Sequence, residues 1–251
     1  MRILFLGNNW VGWKVLDWLK SQKEEVIGLV IHAPEKRKYG EEILKTAGLD
    51  PSSIFDGSKL RQPEVVKAIQ RLQPEIGISA FFGYLLPDEL LRSMRSGCVN
   101  IHSSFLPYNR GVYPNLWSIV DGTPAGVSLH FMDEGVDTGD IIVQRQLPVE
   151  PIDTGESLYR KLEKASVELF KESWPLLRHS KVSRIPQKKT AGSYHRLQDL
   201  NEIREIDLNR TYTAKKLIDR IRAQTFPPYK GAYFLHEGRK VYLRLELLYE
   251  D

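Results

Sequence analysis

Cysteine is almost missing from this chain of 251 residues, with Cys98 alone. No internal disulfide can form, and nothing points to an oxidising compartment. The apolar neighbours of Cys98 predict a packed thiol rather than a reactive one. No apolar run approaches the ~20 residues that span a bilayer. The opening Met1-Arg2-Ile3-Leu4-Phe5-Leu6 enters a strand-like run without a signal-peptide cleavage pattern. A cytoplasmic protein without membrane segments is expected. Neither sign of charge dominates, since 36 basic residues face 32 acidic ones for a net charge of +4. That excess suits an anionic small molecule and is too thin for a nucleic-acid groove. Clustered His and Cys ligands are lacking, so no metal is expected. Between Gly7 and Gly12 there is neither the Lys-Ser/Thr of a P-loop nor a tight glycine triplet, which argues against ATP and nicotinamide sites.

What is present is an alternation of short apolar runs with amphipathic stretches. Strands are expected at residues 3–6, 26–31, 54–55, 76–82, 99–102, 126–131 and 141–147. Helices are expected after Asn9, over 41–47, 63–72, 88–94 and 113–120, and over a long segment 154–177 that Thr154 can cap. Short links between alternating elements predict an α/β fold, a Rossmann-like, mostly parallel sheet with helices on both faces. The loop before residue 141 is too short for a crossover helix, so the last strand should run antiparallel to its predecessor. Composition changes after Arg178. Residues 181–195 read as an exposed connection, 213–223 as a helix, and 226–248 as an aromatic, Pro-braced loop running into a hairpin that turns at Glu237-Gly238-Arg239. The expected division is a main domain, 1–180, and a small carboxyl-terminal α+β subdomain, 181–251.

Residues 97–140 carry the chemistry. Asn100 and His102 alternate along a strand and so share a face. Ser103, Ser104 and a loop with Pro107, Asn109 and Gly111 follow, as at the carboxyl rim of an open α/β sheet. Asp137 sits in a later Gly-rich loop; folded back, it would complete an acid/base set. Read as residue types alone, His102 is either a catalyst or a hydrogen-bonded structural residue, and Asp137 either a reacting carboxylate or a turn former. His130, on a neighbouring strand, is read as structural. Asn8 and Asn9 either cap the first helix or, with Trp10, face a substrate.

The order Asn100-x-His102-x-Ser104, Leu106-Pro107, Arg110-Gly111, Pro114 and Asp137-Thr138-Gly139-Asp140 resembles the folate-dependent formyltransferases. The resemblance implies 10-formyltetrahydrofolate as formyl donor, with Asn100, His102 and Asp137 catalytic. It implies a donor site on the backbone of Phe82, Gly83, Tyr84, Leu85 and Leu86 and on the loop of Asp133, Gly135 and Val136; Leu85 and Leu86 can equally fill core. Residues 107–117 and 226–233 resemble the enzymes that formylate a 4-amino-4,6-dideoxy sugar carried on UDP or dTDP, a step in making cell-surface glycans. That resemblance implies a nucleotide-sugar substrate near Asn9, Trp10, Ser103, Ser104, Tyr108, Arg110, Gly111, Lys230 and Tyr233, with Lys230 or Arg222 facing the diphosphate, and a homodimer. Phe226 and Tyr233 either stack on a base or form the small core. Methionyl-tRNA is the alternative acceptor, against which the short tail and the lack of a basic stripe weigh, and glycinamide ribonucleotide is the third. A folate-binding protein without turnover would show the same motifs, although keeping all three polar groups argues against it.

Overall fold

The computed structural model describes residues 1–179, 181–188 and 190–250. Its strands are β1 (Arg2–Gly7), β2 (Glu25–Ile31), β3 (Ile54–Asp56), β4 (Ile76–Ala80), β5 (Cys98–His102), β6 (Arg110–Gly111), β7 (Ala125–Phe131), β8 (Ile141–Leu147), β9 (Tyr194–His195), β10 (Tyr233–His236) and β11 (Arg239–Tyr242). Its helices are α1 (Asn9–Ser21), α2 (Gly40–Ala47), α3 (Pro63–Arg71), α4 (Asp88–Ser93), α5 (Pro114–Val120), α6 (Gly155–Arg178), α7 (Leu200–Arg204) and α8 (Ala214–Ala223).

Seven strands form one sheet in the order β3-β2-β1-β4-β5-β7-β8. The first five are parallel, β7 is antiparallel to β5, and β8 is antiparallel to β7, as its short link requires. Side chains that alternate along β1 serve two cores. Ile3 and Phe5 pack with residues of α1 and α6, whereas Leu4 and Leu6 pack with Val66 and Ile69 of α3 and Leu90 of α4. All five residues of β4 are buried, as a strand covered on both faces requires. Strand order reverses beside β1, which leaves a crevice at the carboxyl ends of β1, β4 and β5.

Three expectations are corrected. The strand expected over 76–82 ends at Ala80, because Phe81 takes the left-handed region at φ 53° and turns Phe81 and Phe82 into a loop. The second hairpin arm stops at Tyr242. Beyond it Leu243 N–H donates to Ala232 O at 2.8 Å, and Leu243 and Leu245 cover the small core of Ile206, Ile221 and Ala232. The segment 181–195 is not a free connection. Unpaired backbone groups at the sheet mouth recruit it: β9 pairs in parallel with β6, and Ile185 exchanges two 2.9 Å hydrogen bonds with Ile141. Gly111, at φ 90° and in contact with the His195 carbonyl, has no room for a side chain there.

The long helix α6 packs on α1 and β7 and carries α8 on its amino-terminal end. Thr154 caps it reciprocally: its Oγ1 accepts from Ser157 N–H at 3.2 Å, and Ser157 Oγ accepts from Thr154 N–H at 3.0 Å. Near its other end the Trp174 indole donates to buried Glu24 at 2.9 Å. None of the described helices is long and apolar enough to cross a membrane. Thr154→Ala is expected to lower the unfolding free energy by about 1 kcal/mol, measured by urea denaturation; unchanged stability would show that the cap is dispensable.

Candidate active site

Four polar side chains meet at the sheet mouth. Antiparallel pairing of β5 with β7 sets Asn100 opposite His130, and the loop between β7 and β8 brings Asp137 back to them. Asn100 Nδ2 lies 3.1 Å from His130 Nε2 and 3.4 Å from Asp137 Oδ1. His102 Nδ1 is 3.6 Å and His130 Nε2 3.5 Å from the same Oδ1. Asp137 Oδ2 accepts from Gly111 N–H at 2.9 Å. The orientation of Asn100 is fixed from behind, because Ser79 Oγ, its register partner on β4, donates to Asn100 Oδ1 at 2.8 Å. The amide NH₂ therefore points at the site.

The imidazole tautomers follow from their carbonyl partners. His102 Nε2 faces Asn109 O at 3.3 Å, so it carries the proton and leaves Nδ1 as a lone pair toward the site. His130 Nδ1 faces Phe131 O at 2.8 Å and donates there. Burial pushes His102 below the ordinary histidine value, against the raising pull of Asp137. Burial alone would raise Asp137, but His102, His130 and the Gly111 N–H outweigh it and hold the carboxyl well below the usual carboxylate range. At neutral pH the arrangement is an ionised carboxylate beside a neutral base, which can take a proton at Nδ1 and share it with Asp137.

A cavity of about 290 Å³ opens over these groups. Of the residues expected to bind the donor, Phe82, Gly83, Tyr84, Leu85, Gly135 and Val136 line it. Leu86 does not, being buried in the core with Leu90 and Met94. Asp133 turns into its own loop, accepting from Gly135 N–H at 3.0 Å and Thr138 Oγ1 at 2.7 Å. Ser103 and Gly111, expected on the acceptor side, line this first cavity instead. Ser104 is fully buried, with its carbonyl bonded to Ser128 Oγ at 2.7 Å.

A second cavity, about 490 Å³, lies across a wall formed by residues 112–115. Val112 and Pro114 line the first cavity, Tyr113 and Asn115 the second. Asn9 and Lys230 line the second as expected, joined by Lys38, Arg160 and Arg204. Its rings include Tyr159, Phe226 and Tyr229, with Phe226 centred 5.4 Å from each tyrosine. Trp10 packs on the main core, Tyr108 stands outside both cavities, Arg110 pairs its backbone with β9, and Tyr233 bonds Glu205 at 3.2 Å. Arg222 lines neither cavity; it is buried, bonded to Asp219 at 2.7 Å and to the carbonyls of Glu150 and Asp153 at 3.0 and 2.6 Å.

His130, read from sequence as structural, touches both Asn100 and Asp137. Ser79 is also new to the site, though it is the one polar residue in the buried run Ile76–Ala80, and that is the signal by which it is found. Asn109 and Gln187 have no such local signature. Asn109 is held by Ser118, Thr123 and Ser193 at 2.8–3.0 Å, while Gln187 reaches the Asp137 loop from the segment after α6.

Residues 1–173 match the formyl transferase family and residues 199–249 the N-formyltransferase dimerization C-terminal domain. The chain belongs to the formyl transferase family and is a folate-dependent N-formyltransferase. It is 30% identical over 249 residues to the methionyl-tRNA formyltransferase of Geobacter sulfurreducens, covering 97% of this chain and 77% of that one. A 4-N formyltransferase from Francisella tularensis superposes with a TM-score of 0.81 at 30% identity, over 99% of this chain and 98% of that one. The formyltransferase PseJ from Anoxybacillus kamchatkensis, solved with UDP-4,6-dideoxy-4-formamido-L-AltNAc and tetrahydrofolate, superposes with a TM-score of 0.58 at 31% identity, over 80% and 89% of the two chains.

The pKa directions fix how acid destabilises the fold. His102 binds its proton less readily in the native than in the unfolded chain, so stability falls as pH drops below about 6.5, the unfolded histidine value. Asp137, also lowered, adds its loss below about pH 4. His32 and His195, lowered first by burial, act in the same direction as His102. His102→Gln is therefore expected to reduce, without abolishing, the slope of unfolding free energy between pH 6.5 and 5. An unchanged slope would contradict the buried, neutral state of His102.

Proposed function

We propose that this enzyme transfers the formyl group of 10-formyltetrahydrofolate to the 4-amino group of a 4-amino-4,6-dideoxy sugar carried on UDP or dTDP. The second cavity carries this reading. Four cations, Lys38, Arg160, Arg204 and Lys230, share it with a set of aromatic rings. That pairing suits a diphosphate joined to a base. The 4-N formyltransferase of Francisella tularensis and the UDP-sugar complex of PseJ support the same acceptor class.

The first cavity suits the donor. Phe82, Tyr84, Leu85 and Val136 offer flat and apolar contact for a pterin, backbone at Gly83 and Gly135 offers hydrogen bonds, and the buried Tyr84 hydroxyl has no partner among the described residues. When bound, the folate supplies an activated formyl carbon. Asn100 donates Nδ2–H to the oxygen that gains charge as the amine attacks and the new C–N bond forms. His102 accepts the proton from the attacking amine at Nδ1, and Asp137 stabilises the imidazolium across 3.6 Å. The same proton then leaves with the folate nitrogen as its bond to the formyl carbon breaks, which returns His102 to its neutral state. Asn100 must exchange one of its two resting contacts, with His130 or Asp137, for the oxygen. The carboxyl-terminal subdomain, 181–251, is proposed to form the homodimer contact, in keeping with the family match there.

Methionyl-tRNA is the second reading, favoured by the curated relatives near 30% identity. A formyl-transfer assay with 10-formyltetrahydrofolate against UDP- and dTDP-4-amino-4,6-dideoxy sugars, glycinamide ribonucleotide and methionyl-tRNA separates them. Turnover of a nucleotide sugar is expected, and His102→Asn is expected to abolish it while folate still binds. Turnover of methionyl-tRNA alone would overturn the acceptor proposed here.

A further inference from the structure

The strap, described over residues 181–188 and 190–195, follows α6 and crosses the mouth of the sheet. Ile185 ties it to Ile141, and the Arg184 guanidinium lies 3.7 Å above the Phe131 ring. Farther on, Ser193 N–H donates to Pro107 O at 3.3 Å, and Ser193 O accepts from Arg110 N–H at 3.0 Å. Between these anchors stands Gln187. Its Nε2 donates to the carbonyls of both Asp137, at 2.9 Å, and Gly139, at 2.7 Å.

Asp137 needs such an anchor. Its backbone occupies the left-handed region at φ 55°, which is strained for a non-glycine residue. Its carboxylate is tethered on one side by Gly111 N–H. A loop held only through that side chain can relax its backbone and swing the carboxylate out of line. Two carbonyls aimed at one point require two N–H donors there, and a primary amide supplies both from a single nitrogen. A glutamate would set charged acceptors against those carbonyls and supply no donor.

We infer that Gln187, on the strap beyond the long helix, is a positioning residue for the formyl-transfer reaction, clamping the backbone of the Asp137 loop so that the carboxylate faces His102. The inference rests on Asp137 being the active-site carboxylate. Through the same strap the clamp is continuous with Leu200 and Arg204, which line the second cavity.

The test compares Gln187→Met, which keeps length but removes both donors, and Gln187→Glu, which keeps polarity, with Asp137→Asn and the double variant Gln187→Met/Asp137→Asn. Steady-state kinetics are followed against pH, and thermal melting confirms that each variant is folded. The groups facing His102 are the Asp137 carboxylate, the His130 ring and the Asn109 carbonyl. Of these, Asp137 most and the Asn109 carbonyl less raise the affinity of His102 for a proton, and His130 lowers it. Moving the carboxylate away therefore shifts the acidic limb of kcat/KM to lower pH. Both Gln187 variants are expected to lose on the order of 100-fold in kcat and to keep the acceptor KM, and Gln187→Met, which adds no charge, is expected to shift the acidic limb in the direction that Asp137→Asn shifts it. The double variant is expected to match Asp137→Asn. An unmoved limb in folded Gln187→Met, or losses that multiply in the double variant, would overturn the clamp while leaving the role of Asp137 intact. Wild-type turnover in Asp137→Asn would overturn the site reading, and this inference with it.

Discussion

A carboxylate kept charged while almost wholly removed from water must be held by several donors at once. Asp137 meets that requirement with groups drawn from four parts of the chain. Gly111 N–H of β6 and Asn100 Nδ2 of β5 donate to it, the His130 ring of β7 lies 3.5 Å away, and Gln187 on the strap holds its backbone. Each is useful only if the others are in register. The parallel pairing that aligns Ser79 with Asn100, the antiparallel pairing that sets Asn100 against His130, and the close approach of the strap to Gly111 all converge on this one group.

The same constraint explains the irregular backbone around the site. Phe81, Asn109, Tyr113 and Asp137 all have positive φ. Each turns the chain sharply where it enters or leaves the crevice. Phe81 ends β4 early and throws Phe82–Leu85 across the first cavity. Tyr113 directs alternate residues of the dividing wall into the two cavities. Asn109 presents its carbonyl to His102 while its side chain is held by three hydroxyls. Two binding spaces and a proton-handling group thus meet at one strand end, an arrangement suited to moving a small group between two large molecules.

The fold was legible because local pattern and tertiary role coincide. Apolar runs such as 3–6 and 76–80 are buried strands, and the amphipathic 154–177 is α6, capped where Thr154 stands. Asn100, His102 and Asp137 were legible as a motif with family spacing, and the structure brings them together. Less legible were contributions that depend on register between distant elements. Nothing near His130 marks it as a neighbour of Asn100; only the β5–β7 pairing does. Gln187 sits among basic and turn residues that read as an exposed link, because composition does not report that β6 and Ile141 have backbone groups left to pair. Of the two cations expected at the diphosphate, Lys230 or Arg222, only Lys230 lines a cavity. A cationic side chain near an aromatic loop looks like a phosphate ligand until the carbonyls of Glu150 and Asp153 are found to occupy it.

The proton transfer depends on an ionised Asp137 beside a His102 that is neutral and protonated on Nε2. A pH titration of His102 by nitrogen-15 NMR, assigned by comparison with the His102→Gln protein, tests it most directly. An Nε2–H tautomer at neutral pH and a midpoint below the ordinary histidine value are expected. An Nδ1–H tautomer, or an imidazolium persisting above pH 7, would contradict it.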